Sequence, residues 1–332
     1  MRMATAYFMA AMNQALRAAM EEDETVIVMG EDVDQGVFGV TRGLIDVFGA
    51  NRIRKTPISE ATFVGGAVGA AAAGLRPFAH VMFSSFFYVA MDQVANQAAR
   101  LRYMSGGQVE LPIVYFAGTG PSGSAAAQHA EHTPAILMHT AGLKVVMPST
   151  PYDAKGLMIA SIRDPNPVVY LADLRLSRRR EAIPGDPYEI PLGVADIKRQ
   201  GEDVTVVALA SLVHTAVDVA DRLEAEGISV EVVDPRSLVP LDWDTIVTSV
   251  RKTGRLVVAD PARRLCGLAA EIIAGVSERA WDSLRSQPQR VTWPDIPVPF
   301  SPVLEGRLDV SAGDVEEAIR ATLGDRVAAG SA

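Results

Sequence analysis

The stretch PIVYFAGTGPSGSAAAQHAEH, residues 112–132, decides the fold. Its first six residues, Pro112 to Ala117, are apolar at consecutive positions. A strand with one wet face alternates apolar and polar side chains. This one does not, so it reads as a strand covered on both faces, the habit of parallel sheets flanked by helices. The residues that follow, Gly118 to His132, are too rich in Gly, Ser and Ala for an ordinary helix. Open α/β sheets place ligands beyond the carboxyl ends of their strands. A polar loop running straight on from such a strand is therefore a candidate site.

Outward from this strand the same pattern repeats. Val26 to Gly30 (VIVMG), Phe78 to Phe83, Leu143 to Pro148 (LKVVMP) and Pro167 to Leu171 (PVVYL) read as further buried strands. Helices are expected over Ala4 to Met20, Glu60 to Ala73, Phe86 to Tyr103 and Asp153 to Arg163. This alternation predicts an open, mostly parallel α/β sheet. It breaks at Ser177 to Gly193, which holds three arginines followed by Pro184, Gly185, Pro187 and Pro191. That stretch reads as a linker that could lie ordered against a domain. Alternation then restarts, with strands expected at Val204 to Ala210, Ser229 to Val233, Leu256 to Asp260 and Arg290 to Trp293. Helices are expected at Val213 to Glu226, Asp244 to Lys252, Ala269 to Ala280 and Ala312 to Leu323. The expectation is two α/β domains of unequal size, residues 1–180 and 199–332, joined by a linker over 181–198.

The 332 residues, 48% of them apolar, suffice for two cores. With 21% charged residues the chain is not a disordered one. Its net charge of −9 argues against a nucleic-acid partner, which would call for a basic excess. Ala61 to Gly74, the longest run of small residues, contains four glycines and reads as a packed helix, not a membrane span. The single cysteine, Cys266, excludes an internal disulfide framework and points to a reducing cytoplasm.

Glu60 opens the small-residue helix, with Ser59 as its expected N-cap. A carboxylate there is held as the anion by the helix dipole and free N–H groups; the plain alternative is a first-turn charge with no further role. His129, Glu131, His132 and His139 cluster in and after the polar loop. A histidine beside a glutamate can transfer protons, or the loop can simply be solvated. His129 and His132 lack a clear third ligand for a metal. The chain has no GxxxxGK[ST], no GxGxxG between strand and helix, no GxSxG and no HExxH. A diphosphate-bearing cofactor would have to be anchored elsewhere, as on another chain. Cys266, between Arg263–Arg264 and a helix, reads as buried and inert in preference to activated. Trp243, Trp281 and Trp293, with the Pro-rich run WPDIPVPFSPVLEG, suggest an exposed C-terminal surface.

Taken together, EDVDQGVFGVTRGL (31–44), RKTPISEATFVGGAVGAAAAGLRPFAHVMF (54–83), MDQVANQAARLRYMSGGQ (91–108), GLKVVMPSTPYDAKGLM (142–158), IRDPNPVVY (162–170) and VEVVDPRSLVPLD (230–242) resemble one family. It is the β subunits of thiamine-diphosphate-dependent 2-oxoacid dehydrogenase E1 components, of pyruvate, branched-chain 2-oxoacid and acetoin dehydrogenase type. The resemblance runs over residues 5 to 325. It implies a transketolase-like pyrimidine-binding domain followed by a transketolase C-terminal domain. Glu60 matches the glutamate that hydrogen-bonds N1′ of the aminopyrimidine. Met82 and Phe86 match positions against the pyrimidine ring. His129 matches an active-site histidine facing the thiazolium. Ile113, Ser161, Asp164 and Asn166 fall where some members hold potassium, largely through backbone oxygens. Mg²⁺ and the diphosphate would sit on a partner E1 α subunit in an α2β2 heterotetramer, with a lipoyl-bearing E2 acyltransferase as the next partner.

The sequence also departs from the family pattern. HAEH (129–132) stands for a common HSQS, Ser85 for an acidic residue, LADLRL (171–176) for an EPKRLY-like run, and DPARRLCGLAAE (260–271) for a Gly-rich, Glu-containing stretch. These changes fall on substrate and partner surfaces. Two other readings stand beside the leading one: a thiamine-dependent acyltransferase or carboligase working without E2, and a non-catalytic assembly subunit.

Overall fold

The computed structural model describes residues 3–121 and 123–324. Two units emerge, residues 1–192 with 238–240, and residues 193–237 with 241–332. The first is built on a seven-stranded sheet in the order Ser237–Val239, Lys144–Val146, Val168–Asp173, Val114–Thr119, Arg76–Phe83, Val26–Gly30, Ile53–Lys55. From Lys144–Val146 to Ile53–Lys55, every neighbouring pair is parallel. The second unit holds five strands in the order Gln289–Trp293, Leu256–Arg263, Val204–Ala208, Val230–Asp234, Asp196–Arg199. Here only Asp196–Arg199 runs antiparallel to its neighbour. All six residues of Val114–Thr119 and of Val168–Asp173 are buried, as unbroken apolar runs require.

One core of the first unit forms where the helices Phe8–Glu22 and Pro151–Arg163 pack together over the sheet. Phe8, Met12 and Leu16 meet Leu157, Met158, Phe78, Phe116 and Tyr170 there. Each such side chain contributes about 1.5–3 kcal/mol by leaving water. The helix Pro151–Arg163 starts where it does because Thr150 caps it, accepting from the Asp153 N–H at 3.0 Å, and because Pro151 presets the first turn.

The structure differs from expectation at identifiable places. Residues 4–7, expected as the start of a helix, belong to a strand, Met3–Tyr7, paired antiparallel with Arg180–Pro184. Pairing across that distance in sequence overrides local periodicity. Of the stretch read as linker, Arg180–Pro184 is thus a strand of the first unit and Asp196–Arg199 a strand of the second. Buried Lys155 donates to the carbonyls of Pro184 (2.7 Å) and Gly185 (2.9 Å) and holds this stretch down. The helix expected over Phe86 to Tyr103 is composite: a 3-10 turn Ser84–Tyr88, a π-type segment Gln93–Ala98, then Ala99–Met104. A Cβ on Gly65 would lie 2.9 Å from Gln93 Cγ, so the glycine admits this wide turn against Glu60–Ala72. Cys266 is exposed, not buried, on a loop where its φ is +53°. Of the tryptophans, Trp281 is exposed, Trp293 is buried, and Arg279 stacks over Trp243 at 4.4 Å. Among the described residues no helix is long and apolar enough to cross a membrane.

Candidate active site

Because the central strands of the first sheet are parallel, the loops leaving Val26–Gly30, Ile53–Lys55, Arg76–Phe83 and Val114–Thr119 emerge at one edge. Glu60, Met82, Phe86 and His129 all lie on these loops or at their ends. Glu60 is the first residue of the helix Glu60–Ala72 and is half-buried. Its free N–H groups and dipole favour negative charge at that position. Ser59 occupies the N-cap, but its hydroxyl donates to the Pro57 carbonyl (3.2 Å) and does not accept from the helix. The cap expected from sequence is therefore positional only, and the first turn keeps its electropositive end.

Glu31, which follows Val26–Gly30, interacts electrostatically with Glu60. Partial burial pushes the Glu31 carboxyl up, and the nearby carboxylates of Asp32 and Glu60 push it further; Lys55 pulls it back. Lys55 pairs with Asp32 at 3.0 Å and with Asp34 at 3.4 Å, which raises its own pKa. Two half-buried glutamates thus lie within electrostatic reach of one another at the sheet edge. Neither side chain forms a hydrogen bond among the described residues.

On Arg76–Phe83 the pairing register slips between His80 and Phe83, and Met82 takes a left-handed backbone, φ +67°. Such a conformation costs on the order of 1–3 kcal/mol and persists only where the surroundings hold it. The bulge re-aims the strand end. Phe83 then meets His129 edge-to-face at 4.8 Å and Phe86 at 5.6 Å, and Phe86 meets His129 at 5.4 Å. These three rings form a closed edge-to-face triangle, a geometry their quadrupoles favour. Ser85 bonds the Gln128 carbonyl, tying the short helix Ala126–His129 to the same turn.

The sheet edge therefore gathers Glu60 with Glu31, and His129 with Phe86. Met82 lies on the same bulged strand end. Glu31 and Phe83 escaped the sequence reading. Glu31 directly follows the glycine that ends Val26–Gly30, and that position is its signal in the sequence. Phe83 read as a strand residue because a bulge leaves no mark in composition.

The four residues matched to potassium lie at the opposite, amino edge of the strands. Ser161 donates to the Leu157 carbonyl (2.7 Å), and the Ile113 carbonyl accepts from the Val168 N–H (2.8 Å). Asp164 pairs with Lys144 and accepts from the Asn166 backbone N–H and side-chain amide, each at 2.9 Å. Asn166 Oδ1 accepts from Arg102 at 2.7 Å, and the Pro165 carbonyl from the same guanidinium at 3.3 Å. Two fixed cations, Lys144 and Arg102, already answer these oxygens. These contacts occupy the side chains; the potassium site implied by the family resemblance is built largely from backbone oxygens.

Residues 5–179 match the family described as the transketolase pyrimidine-binding domain, and residues 193–315 the transketolase C-terminal domain. The chain is 46% identical over 309 residues to the β subunit of acetoin:2,6-dichlorophenolindophenol oxidoreductase of Bacillus subtilis, covering 89% of this chain and 90% of the relative. It is 43% identical to the pyruvate dehydrogenase E1 component subunit β of the same organism, covering 88% and 90%. Its identity to the 2-oxoisovalerate dehydrogenase subunit β from that organism is 40%, covering 93% and 96%. Among solved structures, a split-gene transketolase, described as an inactive β4 tetramer, superposes with a TM-score of 0.78 over 94% of this chain and 97% of its own, at 24% identity. That likeness bears on the fold alone.

Proposed function

This chain belongs to the family of transketolase-like β subunits of 2-oxoacid and acetoin dehydrogenase E1 components, and from that premise we propose that it supplies the aminopyrimidine half of a thiamine diphosphate site. The observation that carries the reading is the carboxylate of Glu60 at a helix N-terminus, beside Glu31, on the same sheet edge as the ring triangle of Phe83, Phe86 and His129. A flat heteroaromatic ring with a ring nitrogen to be hydrogen-bonded fits an apolar wall plus a carboxylate. Thiamine diphosphate supplies, when bound, a carbanion-forming carbon and an electron sink for cleaving a bond beside a carbonyl.

Glu60 would hold a proton at N1′ of the aminopyrimidine, with Glu31, its carboxyl pushed up by burial and by Asp32 and Glu60, beside it. Met82 and Phe86 would wall the ring. His129, on the loop and braced by two phenyl rings, would face the reacting atoms and move a proton or hold the transferred acyl group. The chain carries no diphosphate-binding motif, so Mg²⁺ and the diphosphate fall to an α partner, which the β-subunit names of the relatives imply. An α2β2 assembly, with a lipoyl-bearing acyltransferase beyond it in a cytoplasmic setting, completes the reading. Donors would be a 2-oxoacid or acetoin.

The test is hydrogen–deuterium exchange at C2 of thiamine diphosphate in the complex with the α partner. Glu60→Ala should slow it by about 10²–10⁴-fold, the span of general acid–base contributions. Exchange at the native rate would end the reading.

A further inference from the structure

We propose that His132 is a positioning residue, the bolt of a latch that closes the neck of the loop carrying His129. The proposal rests on the reading of His129 as the group facing the reacting atoms. Two segments, HAEH (129–132) and LADLRL (171–176), lie about forty residues apart in the chain and meet at this neck.

The loop leaves the sheet at Thr119 and returns at Glu131. Its neck is drawn shut on the Glu131 carbonyl, which lies 3.2 Å from the Gly120 N–H, 3.1 Å from Thr119 Oγ1 and 2.9 Å from Ser84 Oγ. Ser84 Oγ and Thr119 Oγ1 are themselves 3.1 Å apart. His132 adds the next layer. It is 8% exposed, and its Nδ1 lies 3.1 Å from Thr119 Oγ1. The far side of its ring closes on Gly120. A Cβ at Gly120 would fall 2.5 Å from His132 Nε2 and 3.4 Å from Asp173 Oδ1, and φ there is +78°. Only glycine admits the imidazole and the buried carboxylate to the same spot. Asp173 is itself fixed, accepting from the Arg175 N–H at 3.0 Å with the Arg175 guanidinium at 3.4 Å.

The arrangement is a stack from strand end to loop. Asp173 and Gly120 form the seat, His132 lies on it, and Thr119 joins the imidazole to the Glu131 carbonyl. His129 is three residues away in the chain, and its own contacts are rings, which fix distance but not rotation about the loop axis. A neck locked by directional hydrogen bonds supplies what the rings do not. Misplacing a group by an ångström costs turnover heavily while leaving binding intact.

The experiment uses the full chain in complex with its α partner and two readouts. In the first, hydrogen exchange of the Gly120 amide and of peptides over 120–132 is compared between the native chain and His132→Ala. About tenfold faster exchange confined to this loop is expected; exchange at the native rate overturns the latch. In the second, turnover with acetoin and 2,6-dichlorophenolindophenol is measured for His132→Ala, His129→Ala and the double variant. His132→Ala should lower kcat about tenfold, the worth of one lost hydrogen bond, with KM little moved. His132→Asn, which can still bond Thr119 Oγ1, should restore most of it. The double variant should match His129→Ala alone. Multiplied losses, or no rescue by asparagine, overturn the proposal. Native turnover in His129→Ala would instead remove the role of His129, whatever the exchange data show of the latch. Should His132→Ala fail to fold, Thr119→Val opens the same neck with shape kept, and the same two results are expected of it.

Discussion

In the second unit, Asp234 ends the strand Val230–Asp234 and Asp260 stands at the register shift inside Leu256–Arg263. Each is consumed by its own loop: Asp234 Oδ1 accepts from the Arg236 N–H and Asp260 Oδ1 from the Ala262 N–H, both at 3.0 Å. Asp260 Oδ2 reaches on to the Ala269 N–H at 3.1 Å and so caps the helix Leu268–Ala280. In the first unit, Asp173 makes the same turn with Arg175, but Glu31 and Glu60 do not. They are longer, only half-buried, and bond to no backbone donor among the described residues. The two sheets differ in strand order, but both are mostly parallel and both carry carboxylates toward the carboxyl ends of their strands. What separates them is whether backbone N–H groups use those carboxylates up. A carboxylate saturated by its own chain shapes a loop; one left near another carboxylate at a helix N-terminus is free to act on something else.

The sharpest way to break this comparison is at Glu60 itself. Glu60→Gln should leave the unfolding temperature of the chain nearly unchanged, while turnover in the complex falls by about 10²–10⁴-fold. A large loss of stability would put Glu60 in the same class as Asp260.

Acid should then act oppositely on the two units. His80 is fully buried on the first sheet, stacked on Phe116 at 5.1 Å, and burial pushes its pKa down to about 4. The unfolded chain takes up its proton first, near 6.5, so stability is lost as pH falls from about 6.5 to 4. The loss is about 3 kcal/mol at 1.36 kcal/mol per pKa unit. Asp260 is pushed up to about 6 by burial, against the pull of three backbone N–H groups. Its folded form takes up a proton before the unfolded one does, so its contribution rises as pH falls from about 6 toward 4. Denaturant unfolding of His80→Phe against pH should show the acid-side loss flattened. A slope equal to that of the native chain would refute the assignment.

Asp260→Ala leaves the Ala262, Leu268 and Ala269 N–H groups without their acceptor and should destabilise by about 2 kcal/mol. Urea unfolding checks this, with turnover per folded complex unchanged. Smallest of all, replacing K⁺ by Na⁺ at equal ionic strength should not shift thermal unfolding of the chain. Lys144 and Arg102 already bond the side-chain oxygens of Asp164 and Asn166; a rise in stability specific to K⁺ would show an ion bound on the backbone oxygens.

Much of the fold was legible because double burial writes itself as consecutive apolar residues. Pro112 to Ala117 and Val204 to Ala210 needed no partner to be read as strands. Met3–Tyr7 was hidden because its partner, Arg180–Pro184, lies far along the chain and because MATAY suits a helix as well as a strand. The π-type turn at Gln93–Ala98 depends on a glycine of another helix. The exposure of Cys266 is set by a loop conformation, not by its neighbours in sequence. For the site, Glu60 carried a local signal, a carboxylate opening a small-residue helix, and His129 a weaker one. The resemblance to a family gave both a role. The pairing of Glu31 with Glu60, and of Thr119 with His132, arises from strand order and register, which no single segment encodes.

The outer strand of the first sheet, Ser237–Val239, comes from beyond the start of the second unit, and residues 238–240 belong to the first. A ribosome therefore releases residues 1–192 well before that strand exists. Through that interval Lys144–Val146 is an open sheet edge, the kind of surface on which nascent chains stick to one another. A gene divided at the unit boundary would make that interval permanent. Expressed alone, the first unit would keep that edge open unless the 237–240 segment were grafted back onto it.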